Sequence, residues 1–376
     1  MINFDKNATT RTSDEVWDTM SIYAREEYGN PSALYSFAQT AKQGIEDSKE
    51  ILSGIINCEP SEIYFVPSGS VGDNWIIRSM CRKGTTAITS EIEHHAVLNT
   101  FKALSDDGMS RVIYLPVDSN GQISMSQLEQ HIESANLVSL MYVNNEIGTA
   151  QDIEAIGHLC RKSGVPFHTD AVQAFGKVEI DVDAQCIDFM TVSGHKFHGP
   201  KGIGFVHIRE KYKPFLLPLV YGGSQQDGLI AGTENVPGIA GLALAAHLAY
   251  CDFEDKKQKT YELSWYLKSQ LKIALPKVRV VNPQAQLGNC LSVSFLEYGV
   301  RGEELLEFLN EYDICASTGS ACNSHDNAPS HVLKAIGLSD EEANATLRFS
   351  IDYENTNEEV DTVVKVLTEG VKMLGN

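Results

Sequence analysis

The sequence predicts an α/β protein: a mostly parallel, seven-stranded sheet flanked by helices, followed by a smaller α+β unit. Three observations predict it. Strand-length apolar runs alternate with helical patterns between residues 63 and 208. Several of those runs are apolar throughout, as strands buried on both faces are. After about Val236 the pattern changes to long helices and then a second group of short strands.

The elements follow in order. Strands are expected at 63–66, 85–89, 111–115, 137–143, 166–170, 187–193 and 203–208. Helical spacing fills segments between them, such as 33–56 and 153–162. Repeated strand–helix units call for a parallel sheet covered by helices. Beyond Val236, helices are expected at 237–249 and 260–274, strands near 278–281 and 291–295, a helix at 303–310, a strand near 346–351 and a terminal helix. This divides the chain into a large domain, 15–255, and a small one made of 1–14 and 256–376.

Composition narrows the function. In 376 residues, 50 Asp and Glu stand against 30 Lys and Arg, a formal charge of −20. That field repels phosphate backbones and anionic lipid, so neither nucleic acid nor a membrane surface is an expected partner. No run approaches the ~20 apolar residues of a membrane span. The start, Met1-Ile2-Asn3-Phe4-Asp5-Lys6, has no basic, apolar leader pattern. Eight cysteines are scattered without a Cys-x-x-Cys pair. They read as reduced thiols, and a cytoplasmic location is expected.

The segment Ser193-Gly194-His195-Lys196 directly follows an apolar strand. Functional residues of α/β sheets sit at the carboxyl ends of strands. A lysine among small residues there has room for a bulky adduct on its amine. A surface-loop lysine is the alternative reading. Another strand ends at Asp170, where a carboxylate can keep a pyridinium nitrogen protonated. A helix N-cap is its alternative. Asn144 and Asn145 end a third strand, as ligand contacts or as turn residues. Ser68-Gly69-Ser70-Val71 joins a strand to a helix, where backbone N–H groups can meet a phosphate. Its spacing is neither of the common nucleotide-binding patterns. Glu93-His94-His95 opens a helix, and an imidazole there can stack on a flat ring. Adjacent histidines do not share a helix face, and no metal site is expected. Cys322 lies in a run of small polar residues, where a thiol is accessible and reactive, or of no consequence.

Taken together, these segments resemble the NifS/IscS-type cysteine desulfurases of the class V aminotransferase group, with the pyridoxal-phosphate fold-type I architecture. The resemblance runs in order through Asp5, Ala8-Thr9-Thr10, Gly29-Asn30-Pro31-Ser32, Glu93-His94, Val143 to Gly148, Asp170-Ala171-Val172-Gln173, Ser193 to Lys196, Gly232-Thr233-Glu234-Asn235, Gly319-Ser320-Ala321-Cys322 and Arg348-Phe349-Ser350. It departs at Ser70-Val71, where the family commonly has Thr-Glu. It departs also at Ile230, in place of Arg, and at Arg11, in place of Pro.

The resemblance implies pyridoxal 5'-phosphate bound as a Schiff base on Lys196. It pairs Asp170 with the ring nitrogen and Gln173 with the ring hydroxyl, and it stacks His94 on the ring as an acid–base group. Ser70, Ser193, His195 and the backbone of Gly69 to Val71 would hold the phosphate. Thr233 would reach the phosphate of the opposite subunit in a homodimer. Arg348 would grip the carboxylate of L-cysteine, helped by Asn145. Cys322 would take the sulfur as a persulfide, releasing L-alanine, and pass it to an acceptor protein such as an iron–sulfur scaffold. The alternatives are another class V reaction (selenocysteine lyase or aminotransferase) and a weakly catalytic sulfur-carrier docking protein.

Overall fold

The computed structural model describes residues 1–282, 287–319 and 328–375. The chain opens with a two-residue strand, β1 (Ile2–Asn3), and two helices, α1 (Asp14–Arg25) and α2 (Ser36–Ile56). Seven strands then build the main sheet: β2 (Ile63–Val66), β3 (Thr85–Ser90), β4 (Ser110–Leu115), β5 (Leu137–Ser139), β6 (Phe167–Asp170), β7 (Phe189–Ser193) and β8 (Gly204–Ile208). Between them run α3 (Gly69–Met80), α4 (His95–Asp106), α5 (Met125–Ile132) and α6 (Ile153–Ser163), and α7 (Val236–Tyr250) follows.

The sheet order is β2-β8-β7-β6-β5-β3-β4. β8 is antiparallel to both neighbours, and the remaining pairs are parallel. β2, β3, β5, β6 and β7 therefore deliver their carboxyl ends to one edge, where such sheets carry their ligands. Every residue of β2, β6, β7 and β8 is buried; β2 reads as an unbroken apolar run, as a strand covered on both faces does, while β6, β7 and β8 also bury His168, Thr191 and His207.

Local chemistry places the helix ends. Ser68 caps α3 by accepting from Val71 N–H, and Asp152 caps α6 by accepting from Ala155 N–H. Each such cap contributes about 1 kcal/mol. Gly164 ends α6 with φ 71°, the left-handed conformation that glycine adopts without a Cβ clash.

The chain continues through α8 (Phe253–Ala274), β9 (Arg279–Val280), β10 (Cys290–Ser294), α9 (Gly302–Asn310), β11 (Ile314–Cys315), β12 (Ser317–Thr318), α10 (His331–Ala335), α11 (Asp340–Asn344), β13 (Thr346–Ser350) and α12 (Asn357–Leu374). Strands β12-β13-β10-β9 form an antiparallel sheet, and β1 pairs with β11. One apolar core joins the main sheet to α2, α6 and α7. A second gathers Phe4 with residues of α8, α9, α12, β10 and β13. Among the described residues no single helix is long and apolar enough to cross a membrane.

Two boundaries differ from the sequence expectation by more than three residues. The strand expected at 137–143 narrows to β5, because Met141 N–H turns to the Glu93 carboxylate at 3.0 Å. Helix α8 starts at Phe253, seven residues ahead of the expected 260. Its first turns are mostly exposed and carry no apolar stripe to announce them.

Candidate active site

The carboxyl edge of the main sheet closes around a cavity of about 310 Å³. Asp170 ends β6, Ser193 ends β7, and His195 and Lys196 occupy the tight turn that follows. His94 caps α4, while Gly69 and Ser70 open α3. Asn145 follows β5, and Arg348 enters from β13 of the second sheet. All nine line the cavity, and so does Gln173.

The Lys196 amine donates to the carbonyls of Asn7 at 2.6 Å and Ala8 at 2.8 Å. Asp170 Oδ1 accepts from Val172 N–H at 2.9 Å. Burial pushes the Asp170 carboxyl upward; His94, the Val172 N–H and Lys196 oppose that shift. His94 Nδ1 accepts from Ala96 N–H at 3.1 Å, so the neutral ring carries its proton on Nε2. Burial pulls His94 below its ordinary value, Asp170 counters, and Lys196 and His95 add to the lowering. His195 drops to about 4, through burial first and then through Lys196 and Lys201. Its Nδ1 lies 3.1 Å from Thr9 Oγ1.

The two asparagines divide the roles the sequence left open. Asn144 is fully buried as a turn residue: Oδ1 accepts from Glu146 and Ile147 N–H, and Nδ2 donates to Ile92 O. Asn145 is half-buried and faces the cavity. Its carbonyl accepts from Arg348 Nη1 at 3.0 Å, and Arg348 Nη2 pairs with Asp5 at 2.7 Å. The Arg348 Nε is buried without a hydrogen-bond partner among the described residues.

Val71 does not line the cavity, since its N–H goes to the Ser68 hydroxyl at 3.3 Å. Thr233 is exposed ahead of α7 and likewise does not line it. Cys322 lies outside the described residues, although Gly319, three positions earlier, lines the cavity.

Residue-by-residue reading missed Asn7, Ala8 and Asp73, all of which line the site. Asp73 carried a signal: it stands four residues after Gly69 on α3 and so shares its face. Asn7 carried none, because its carbonyl oxygen is common to every residue.

The donor set suits a flat, phosphate-bearing ring. A helix N-terminus, two hydroxyls and an imidazole can receive an anion. An amine, a carboxyl and a second imidazole can surround a ring, and a guanidinium with an unused N–H awaits a carboxylate. Gly69 is required for this shape, since a Cβ there would come within 2.7 Å of Val172 Cγ2.

Similarity to known proteins shows the family. Residues 2–363 match the family model described as aminotransferase class-V. The chain is 41% identical over 379 residues to a protein of Clostridium botulinum named cysteine desulfurase IscS, covering 99% of this chain and 94% of that one. A solved structure described as a NifS-like protein superposes with a TM-score of 0.91 at 36% identity, covering 99% of this chain and 100% of that one. A structure described as SspA in complex with cysteine gives 0.81 at 35% identity, covering 93% and 99%.

Proposed function

Because the chain belongs to the class-V aminotransferase family, we infer that it is a cysteine desulfurase, converting L-cysteine to L-alanine and taking the sulfur onto Cys322. Family membership implies pyridoxal 5'-phosphate as cofactor. The observation that carries the reading is the convergence of Lys196, Asp170, His94 and Arg348 on one cavity from remote parts of the chain.

When bound, pyridoxal phosphate supplies an electron sink next to the substrate α-carbon. Lys196 would hold it through its amine and would move the proton at the substrate α-carbon. The Asp170 carboxylate keeps the ring nitrogen protonated. His94, whose Nδ1 accepts from Ala96 N–H, would offer its Nε2 N–H and its ring face to the cofactor and serve acid–base steps. Gln173 addresses the ring hydroxyl. Ser70, Ser193, His195 and the backbone at Gly69 would hold the phosphate; Val71, expected to join them, has its N–H on the Ser68 hydroxyl. Arg348 and Asn145 hold the substrate carboxylate. The Cys322 thiolate takes the substrate sulfur, giving a persulfide and leaving alanine.

The same proposal includes a homodimer in which Thr233 serves the opposite subunit. It also includes delivery of the persulfide sulfur to an acceptor protein such as an iron–sulfur scaffold, and a cytoplasmic location. The division into domains 15–255 and 1–14 with 256–376 belongs to it too, supported by the two largest apolar cores, the first drawn from 15–255 but for Leu287 and the second from 1–14 and 256–376; a smaller cluster joins Ile92 and Met141 to Val332 and Leu333 across the boundary.

The test combines colour and product. The holoenzyme shows a visible band and releases sulfide and alanine from cysteine. Lys196→Ala loses the band. Cys322→Ser keeps the band, loses sulfide release, and no longer gains one sulfur by mass spectrometry. Full sulfide release by the serine variant would overturn the persulfide route.

A further inference from the structure

We propose that Lys177 is a positioning residue of this site: its amine holds the Oε1 end of the Gln173 amide, so that Gln173 presents an Nε2 N–H donor to the cavity around Lys196. This rests on the reading of that cavity as a pyridoxal-phosphate site. It adds a residue that lies outside the cavity wall.

The geometry is a short chain of hydrogen bonds. Lys177 Nζ donates to Gln173 Oε1 at 2.8 Å, and Gln173 Nε2 donates to Asn7 O at 2.9 Å. The same Asn7 carbonyl accepts from Lys196 Nζ at 2.6 Å. Gln173 is buried and lines the 310 Å³ cavity. Lys177 lines a different cavity, of about 860 Å³, with Tyr142, Phe197 and Tyr353. Gln173 therefore stands between the cavity around Lys196 and the Lys177 amine.

Which way round an amide sits is decided by its partners. A carbonyl such as Asn7 O only accepts, so it requires Nε2. The Lys177 amine donates, so it requires Oε1. Both neighbours ask for the same orientation. Burial pushes Lys177 down to about 7, with Lys196 and then Arg348 adding to the shift against Cys290 and Asp352. A neutral amine keeps two N–H groups, so the contact survives on either side of that titration.

Orientation matters because an N–H beside the ring hydroxyl favours its ionised form, while a carbonyl disfavours it. The donor helps most once the Lys196 nitrogen has lost its proton. Without Lys177, Oε1 is a buried acceptor with no partner, and the amide moves to find one. The protonated form is then favoured.

The experiment is a pH titration of the visible band of the holoenzyme, read as its midpoint. Lys177→Met keeps the colour and raises the midpoint by about half to one pH unit, the scale of one hydrogen bond. Lys177→Gln, whose side chain still donates, stays near the parent value. In a Gln173→Leu background, Lys177→Met adds no further shift. A coloured Lys177→Met with an unchanged midpoint overturns the proposal. So does a full additive shift in the Gln173→Leu background, which would make Lys177 a remote charge. A parent protein that takes up no cofactor defeats the cofactor reading instead.

Discussion

Asp73 lies beneath the site as a second acid beside Asp170. It is 1% exposed, and its Oδ1 has no hydrogen-bond partner among the described residues. The nearby His168 Nε2 is 3.6 Å away, but burial pulls that imidazole down to about 3, so it brings no cation. Burial first, and then the Asp170 charge, push Asp73 well above its ordinary value against the Thr191 hydroxyl. Asp170 instead has His94 and Lys196 holding it down. Both carboxyls are pushed upward by burial, but His94 and Lys196 oppose the shift at Asp170 and only the Thr191 hydroxyl opposes it at Asp73, so Asp73 holds its proton the more strongly. Asp73→Asn copies a protonated acid and keeps most activity, whereas Asp170→Asn loses about a hundredfold or more in kcat. The pH dependence has a sign. Folded Asp73 retains a proton that the unfolded chain releases, so its stability contribution is intact below the ordinary 3.8 and declines as pH climbs. Urea midpoints of Asp73→Asn should therefore fall less between about pH 4 and pH 7 than those of the parent. Equal falls would show that Asp73 is ionised in the folded chain.

Helices show how position overrides residue type. Gly54 in α2 is exposed, and a Cβ there meets nothing within 4 Å. Gly157 in α6 is buried, and a Cβ there would stand 1.9 Å from the Gln185 carbonyl oxygen. Gly54→Ala should raise stability by up to about 1 kcal/mol, by helix propensity alone. Gly157→Ala should lower it by about 1–3 kcal/mol, because backbone must move. Denaturant melts of both variants check the opposite signs; two shifts of the same sign would mean that α6 is free to slide. Neither outcome was legible in the sequence, where both are glycines inside helical patterns. Strands such as β2 were legible because burial on both faces favours unbroken apolar runs, as in Ile63-Tyr64-Phe65-Val66. Asp170, Lys196 and His94 were legible because they stand at or just beyond the carboxyl ends of main-sheet strands. The end of β5 was not, since a carboxylate from Glu93 takes the amide that a neighbouring strand would otherwise hold. Nor was Asn7, which acts through its backbone.

At the scale of the whole chain, the first thirteen residues tie the two apolar cores together and touch the site from both sides. Ile2 and Phe4 N–H groups bond to Asp313 and Cys315 carbonyls, and Phe4 O accepts from Ser350 N–H. Further along, Thr10 and Ser13 N–H groups bond to His195 and His198 carbonyls next to Lys196. Between these anchors, Asp5 holds Arg348 and Asn7 holds Lys196. Phe4 is fully buried in the second core and is the apolar anchor of the segment. Phe4→Ala should cost about 3–5 kcal/mol, as large-to-small core changes do. It should also raise KM for cysteine, because Asp5 loses its fixed hold on Arg348. Leu367 on α12 is equally buried in the same core but belongs to no such link. Leu367→Ala should lower stability by a similar amount, about 2–5 kcal/mol, and leave KM unchanged under conditions where both variants stay folded. Unfolding midpoints and cysteine kinetics on the two variants separate the effects. If KM rises equally in both, the second core acts on the site through general loosening, and the N-terminal segment has no special part in setting Arg348.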